Sequence, residues 1–264
     1  MHAPPAVGIV IPARWGSTRF PGKPLAEIRG RTLIERVWRI CAAVDGVAAL
    51  AVATDDPRIA EAVEAFGGRA VMTPPDCRTG SDRTLAALDA MPDRLDAAVN
   101  VQGDAVLTPP WVVQALVDRL RADPDSPIVT PAVRLDAERL AAFEASKTAT
   151  PASGTTVVAR ADGFALYFSK RVLPFVRKPG EGMPPVFRHI GIYGYRRNAL
   201  QRFASLPTGA LEAAEGLEQL RALENGIPIR VVEVDYRGRT HWSIDAPEDA
   251  EAAAGIIARE GELA

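Results

Sequence analysis

"VAALAVATDDPRIAEAVEAFGGRAVM", residues 47–72, holds one complete unit of the fold. The apolar run 47–56 reads as a buried strand, because it is short, rich in Val and Ala, and stops at two aspartates. Pro57 then opens a helix that Gly67 and Gly68 close, since proline suits a first helical turn and glycine the position past the last. "RAVM" follows as a second short strand. Two strands joined through a helix run parallel, because a helical crossover returns the chain to the same end of the sheet.

The pattern repeats outward from this unit. "VGIVIPA" (7–13) is a buried strand ended by Pro12 and a basic loop, and "TLIERVWRICAAV" (32–44) spaces Leu33, Ile34, Val37, Ile40 and Cys41 as one helical face. "TGSDRTLAALDAM" (79–91) begins on capping residues and continues as a helix. "LDAAVNVQGD" (95–104) is a strand with a polar end, "PPWVVQALVDRLRA" (109–122) a helix and "PIVTPAVRL" (127–135) a strand. Strands alternating with helices at this rhythm predict an α/β, Rossmann-like domain: a mostly parallel central sheet with helices on both faces. Such a sheet takes its ligand beyond the carboxyl ends of the strands, where the basic loop and "VQGD" both fall.

From about 140 to 205 the rhythm changes. "GTTVVA", "FALYFS" and "FRHIGIYGYRR" read as successive strands, an antiparallel insertion within a single domain spanning 1–264. "ALEAAEGLEQLRALENG" (210–226) reads as one amphipathic helix, "PIRVVEVD" as a strand, and the chain turns at Asp245 into a final helix.

The 264 residues include 31 Lys and Arg against 33 Asp and Glu, a formal net charge of −2, which argues against a general nucleic-acid binder. Cys41 and Cys77 form no CxxC motif and no His cluster accompanies them, so neither a disulfide framework nor a zinc site is expected, and a reducing cytoplasm fits. No apolar stretch approaches the roughly 20 residues of a membrane span, and "MHAPPAVGIVIPAR" does not read as a secretory leader.

The loop "PARWGSTRFPGKPL" (12–25) sets Arg14, Arg19 and Lys23 among Gly16, Ser17, Thr18 and Gly22. Arginine and lysine are charge-assisted donors to phosphate, backbone N–H groups exposed at small residues add to them, and Pro21 and Pro24 limit the loop's freedom. Neither GxGxxG nor GxxxxGK[ST] is present, so this is another kind of phosphate loop, and a nucleoside triphosphate is the expected anion.

"IPARWGSTRFPGKPL" resembles the opening signature of the sugar-activating nucleotidyltransferases, and specifically of the 3-deoxy-D-manno-octulosonate (Kdo) cytidylyltransferase family. "VATDD", "TGSDR", "NVQGD", "ALYFSKRVLPF", "FRHIGIYGYRR", "LEQLRALENG" and "IDAPEDAE" match in the same order along nearly the whole chain, with "RHIGIYGYR" and "LEQLR" the most family-specific. The resemblance implies condensation of CTP with an acidic sugar, Kdo or a close relative, to a CMP-sugar and pyrophosphate. It also implies Mg²⁺ as cofactor and a homodimer to which the 140–205 insertion contributes.

Carried over residue by residue, the resemblance assigns Arg14, Ser17, Arg19 and Lys23 to the triphosphate, and Thr79, Gly80, Ser81 and Arg83 to a second nucleotide loop. Asp104 and Asp245, both at predicted strand ends, are implied metal ligands and, with Arg14 and Lys23, the catalytic set. Gln102, Arg188, His189, Tyr193, Glu218 and Gln219 are implied sugar ligands, with Arg188 or His189 facing the carboxylate. A lone histidine is more often structural than a general base, and a metal can acidify the anomeric hydroxyl without one. Three departures stand out: Ala105 replaces an acidic residue beside Asp104, and Ser153 and Thr156 replace an asparagine and a lysine. They leave open a different acidic sugar in capsule or specialised metabolism, or a nucleotide-binding paralogue without catalysis.

Overall fold

Strand β1 (Val7–Pro12) is buried at every position, and a buried strand needs neighbours on both edges. They are β4 (Ala49–Thr54) and β6 (Ala97–Asn100), both parallel to it, and β5 (Ala70–Met72) extends the row beyond β4. The computed structural model describes residues 4–16, 20–177 and 183–264.

Between β1 and β4 lie a single 3₁₀ turn at Lys23–Leu25, the hairpin β2 (Glu27–Ile28) and β3 (Arg31–Thr32), and helix α1 (Leu33–Ala42). Helix α2 (Pro57–Ala65) crosses from β4 to β5, with Asp56 as its N-cap and Pro57 in its first turn. Helix α3 (Gly80–Ala90) starts at Thr79, whose side chain accepts from the Asp82 amide. Helix α4 (Pro110–Ala122) leads to β7 (Ile128–Arg134). The expected strand–helix alternation is therefore present through the first half of the chain.

The second half departs in instructive ways. Helix α5 (Ala137–Ala149), capped by Asp136, precedes the hairpin β8 (Thr155–Ala159) and β9 (Ala165–Ser169). "FRHIGIYGYRR" is not one straight strand but two, β10 (Phe187–His189) and β11 (Tyr193–Arg196). Both run antiparallel to β7: His189 opposes Ala132 and Gly194 opposes Val129, so the register slips by two residues across Ile190–Ile192. The slip lets β10 turn outward to pair with β8, while β11 pairs with β6 in the middle of the main sheet. The strands of this region thus all join the one sheet, β11 between β6 and β7, and β10, β8 and β9 in series beyond β7.

Helix α6 (Arg197–Ser205) follows, and then α7 (Ala210–Glu215) and α8 (Gln219–Glu224) replace the single helix expected over 210–226. The break is Gly216, at φ 63°, a left-handed conformation that ends one helix and re-aims the next. Strand β12 (Ile229–Glu233) returns parallel to β7, and α9 (Pro247–Glu260) closes the chain.

Helices cover both faces. Side chains of α1, α2, α4 and α9 pack on one side with Ile9, Val99 and Val129, and those of α3, α6 and α8 on the other with Val10, Ala98 and Tyr195. Alternate residues of one strand thus serve opposite cores.

Candidate active site

The carboxyl ends of β1 and β6 and the N-terminus of α3 converge on a cleft of about 240 Å³. It is lined by Arg14 and Lys23 from the basic loop, Thr79, Gly80 and Arg83 from α3 and its cap, and Gln102 and Asp104 after β6. Gly80 is there because there is no room for more: a Cβ at that position would stand 3.2 Å from Gln102 Nε2 and 3.3 Å from Pro12 Cγ. The N-terminus of α3 abuts a cleft lined by four cationic side chains, Arg14, Lys23, Arg78 and Arg83, an arrangement suited to phosphate.

Lys23 is the hinge of the site. Its ammonium donates to Asp104 Oδ2 at 2.5 Å and to the carbonyl of Ile244 at 2.8 Å. It therefore draws the end of β6 to the peptide immediately before Asp245, two segments far apart in sequence. The backbone amides of Asp245 and Ala246 in turn donate to Asp249 Oδ2 at 2.8 and 2.9 Å, fixing the turn into α9.

The loop that carries Lys23 is seated by Trp15. Gly22 adopts φ 68°, its amide donates to the Trp15 carbonyl at 3.1 Å, and a Cβ on it would meet the indole at 2.9 Å. On the indole lies the Arg58 guanidinium, 3.5 Å from the ring centroid. Asp56, the cap of α2, holds that guanidinium by two hydrogen bonds at 2.9 and 2.6 Å. Ser17 and Arg19 lie outside the described residues.

Arg83 is almost fully buried and already engaged, donating to Thr73 Oγ1 at 2.6 Å and pairing with Asp55 at 3.3 Å. It braces the cleft wall by joining α3 to the ends of β4 and β5. Ser81 points away from the cleft toward Tyr195 and Glu218, at 3.2 and 3.3 Å.

The implied sugar ligands separate into two groups. Tyr193 lies directly across the sheet from Asn100, whose side chain receives a hydrogen bond from Gln102 at 3.2 Å. His189 packs edge to face against Phe168 with centroids 5.0 Å apart and tilted against Tyr193 at 5.4 Å, and its Nε2 is 2.9 Å from Thr130 Oγ1. Burial pushes its pKa down to about 3, so the imidazole is neutral. Burial raises the Glu218 carboxyl above its ordinary value, countered by hydrogen bonds from Thr79 and by Arg221. Gln219 is buried with an Nε2 that has no hydrogen-bond partner among the described residues.

Arg188 departs from this group. It neighbours His189 on β10, so it projects to the opposite face, where its guanidinium lies 5.3 Å from the Phe143 ring centroid. Of the two alternatives for the sugar carboxylate, Arg188 and His189, only His189 is thus on the face of the sheet that carries Tyr193.

Three residues absent from the sequence-based set belong here. Asn100 has a buried, unpartnered Nδ2 beneath Gly80, 3.4 Å from where a Cβ there would stand; Asp55 anchors Arg83; and Lys170, whose pKa burial lowers, is within electrostatic reach of Glu215 and Asp245. Asn100 and Asp55 sit inside "NVQGD" and "VATDD", the polar ends of apolar strands, and that position was the available signal.

Asp104 follows β6 and lines the cleft, whereas Asp245, expected at a strand end, lies in the segment between β12 and α9 and lines a second cavity; both offer hard carboxylate oxygens. Among the described residues no three His, Cys, Asp or Glu side chains gather. Both donors suit Mg²⁺, and the Asp104 carboxylate already accepts from one cation, the Lys23 ammonium, whose second acceptor is the Ile244 carbonyl rather than the Asp245 side chain.

The model of the family described as cytidylyltransferase matches residues 8–231. A 3-deoxy-manno-octulosonate cytidylyltransferase of Maricaulis maris is 59% identical over 254 residues, covering 96% of this chain and 98% of that protein. The chain belongs to this cytidylyltransferase family. An Escherichia coli protein of the same name is 40% identical and covers 96% of each chain. Among solved structures, that of CMP:2-keto-3-deoxy-manno-octonic acid synthetase complexed with CTP superposes with a TM-score of 0.85 at 39% identity, over 96% of this chain and 99% of that one. The cytidylyltransferase differs from the expected pattern at Thr156, and the structure explains how. Thr156 is fully buried and its hydroxyl donates to the Arg171 carbonyl at 2.6 Å, tying β8 to the segment after β9. Ala105 packs partly buried against the core on the α1 side, its amide closing a turn onto the Gln102 carbonyl at 3.0 Å.

Proposed function

We propose that the protein transfers the cytidylyl group of CTP to the anomeric hydroxyl of 3-deoxy-manno-octulosonate, giving the CMP-sugar and pyrophosphate. The observation that carries this reading is the Lys23 ammonium, which joins Asp104 to the Ile244–Asp245 peptide at the mouth of the cationic cleft. In the reaction the hydroxyl oxygen bonds to the α-phosphorus, the bond to the β-phosphate oxygen breaks, and the hydroxyl proton leaves to water. Arg14 and Lys23 meet the charge that accumulates on the phosphoryl oxygens and the departing pyrophosphate. The amides at the start of α3, with Thr79 and Gly80, orient the nucleotide, while Arg83 holds their wall in place. Asp104 and Asp245 hold Mg²⁺, which when bound neutralises phosphate charge and acidifies the attacking hydroxyl.

The sugar lies against Gln102, Tyr193, His189, Glu218 and Gln219, with Lys170 as the nearby cation. Neutral His189 positions the sugar as a hydrogen-bonding group and does not remove its proton. A homodimer is part of the same reading: β9 is an edge strand, and Leu166 on it, with Phe175 and Met183 nearby in sequence, is exposed. No helix among the described residues is long and apolar enough to cross a membrane, in keeping with a cytoplasmic enzyme. The test is pyrophosphate release from CTP, Mg²⁺ and Kdo. The reading expects turnover that disappears in Asp104→Ala; release that survives the substitution, or that occurs equally with other nucleoside triphosphates, would reject it.

A further inference from the structure

On the face of the sheet opposite His189 lies a second, larger cavity of about 680 Å³. Its walls come from α5, from β7 and β10, and from the segment 236–245 that leads to α9. Rings dominate one side: Phe143, Tyr236, His241 and Trp242, with Tyr236 and His241 edge to face at 5.6 Å. Arg188 stands in this wall. Among the described residues its guanidinium makes no hydrogen bond and no ion pair; its recorded neighbour is the face of Phe143, and its Nε is buried without a partner. His241 also has a buried, unpartnered Nδ1, and burial beside Arg188 keeps its ring neutral.

A guanidinium set into an aromatic wall without a counter-charge is costly, and an anion placed on it recovers both the charge pairing and the hydrogen bonds. The other charges of the lining limit which anion fits. Arg139 and Arg239 are already paired with Asp136 and Glu260, at 3.5 and 3.8 Å, and Asp245 and Asp249 disfavour a polyanion such as a triphosphate. We propose that this cavity is a second binding site, for a small monoanion with a planar apolar body, its carboxylate on Arg188 and its ring between Phe143 and Trp242. The site is separate from the cationic cleft and does not depend on which nucleotide occupies that cleft. It meets the active site through Asp245 and through the Arg188–His189 peptide of β10, so its ligand is placed to alter turnover without competing for the triphosphate groups.

The probe is 1-naphthoate, titrated into the full chain by calorimetry with uncharged 1-naphthamide as control. Naphthoate is expected to bind one site per chain, with naphthamide and the Arg188→Met variant each weaker by about tenfold or more, the value of a charge-assisted hydrogen bond. Saturating CTP should leave the titration unchanged. Ala142→Trp supplies an independent block, because Ala142 is exposed on α5 at the cavity wall and its replacement fills the opening without touching the core. Equal binding of acid and amide, full affinity in both variants, or displacement by CTP would overturn the assignment. So would a wild-type dimer that Arg188→Met converts to monomer in light scattering while naphthoate fails to bind the wild type, since the cavity would then be a contact between copies.

Discussion

Replacing Lys23 by methionine keeps the length of the side chain and removes its charge. In the folded protein the ammonium holds Asp104 at 2.5 Å and the Ile244 carbonyl at 2.8 Å, with side-chain exposures of 19% for Lys23 and 27% for Asp104. The pair is therefore shielded but not dry, and losing two hydrogen bonds there costs about 1–2 kcal/mol of stability. For a chain of this size that corresponds to a fall in Tm of roughly 2–8 °C. Catalysis should suffer more, because a donor aimed at developing phosphoryl charge contributes about 10²–10³ in kcat. The assay is steady-state pyrophosphate release over a CTP series, with thermal unfolding on the same samples. Lys23→Arg restores charge but not the compact ammonium that reaches two acceptors at once, so it should recover stability more than turnover. A Lys23→Met enzyme with kcat within about threefold of wild type would refute the reasoning, because the bridging ammonium would then be a structural tie only.

Trp15→Ala removes the seat between Gly22 and Arg58; losing loop order should raise KM for CTP roughly fivefold with a smaller change in kcat, measured by the same kinetics. His189 and His241 are both held by burial at a pKa of about 3, against 6.5 unperturbed. Below pH 6.5 the unfolded chain takes up protons that the folded protein refuses, so stability falls with pH through that window by up to about 1.4 kcal/mol per pH unit for each histidine. Urea unfolding at about pH 7 and about pH 5 checks this, and His189→Asn should remove one proton's worth of the slope. Thr156→Lys, which restores the charge the resemblance leads one to expect, places an ammonium where Thr156 is fully buried and should destabilise by about 3 kcal/mol or more in chemical denaturation.

The first half of the fold was readable because each element carries its own punctuation. Pro57 and Gly67 bracket α2, Thr79 caps α3, and β1, β4 and β6 are apolar runs of strand length. The second half was less readable for local reasons. Helix α5 buries only Leu140 and Phe143, so its apolar stripe is thin, and only the Asp136 cap announces it. Helix α6 follows β11 with no intervening loop, which hid the change of period at Arg196 and Arg197. Within 210–226 the leucines keep helical spacing across Gly216, although the backbone there is left-handed. A strand slip such as that at Ile190–Ile192 depends on which neighbours compete for the two halves, and no local pattern encodes it.

The site shows the same division. Residues at strand ends and helix caps, Lys23, Thr79, Gly80, Gln102 and Asp104, come together as the motifs imply. Arg188 and His189 are adjacent in sequence and the motif leaves either free to face the sugar carboxylate; strand alternation sends them to opposite faces. Asp55 and Asn100 were passed over because their roles arise from partners, Arg83 and Tyr193, on other elements.

The most direct test of the central claim is ³¹P NMR of a mixture of protein, CTP, Mg²⁺ and Kdo. The account predicts that the three CTP resonances give way to one phosphodiester signal of the CMP-sugar and one of pyrophosphate, in equal molar amounts. Appearance of CDP with inorganic phosphate, or CTP left intact in the presence of Kdo, would contradict it.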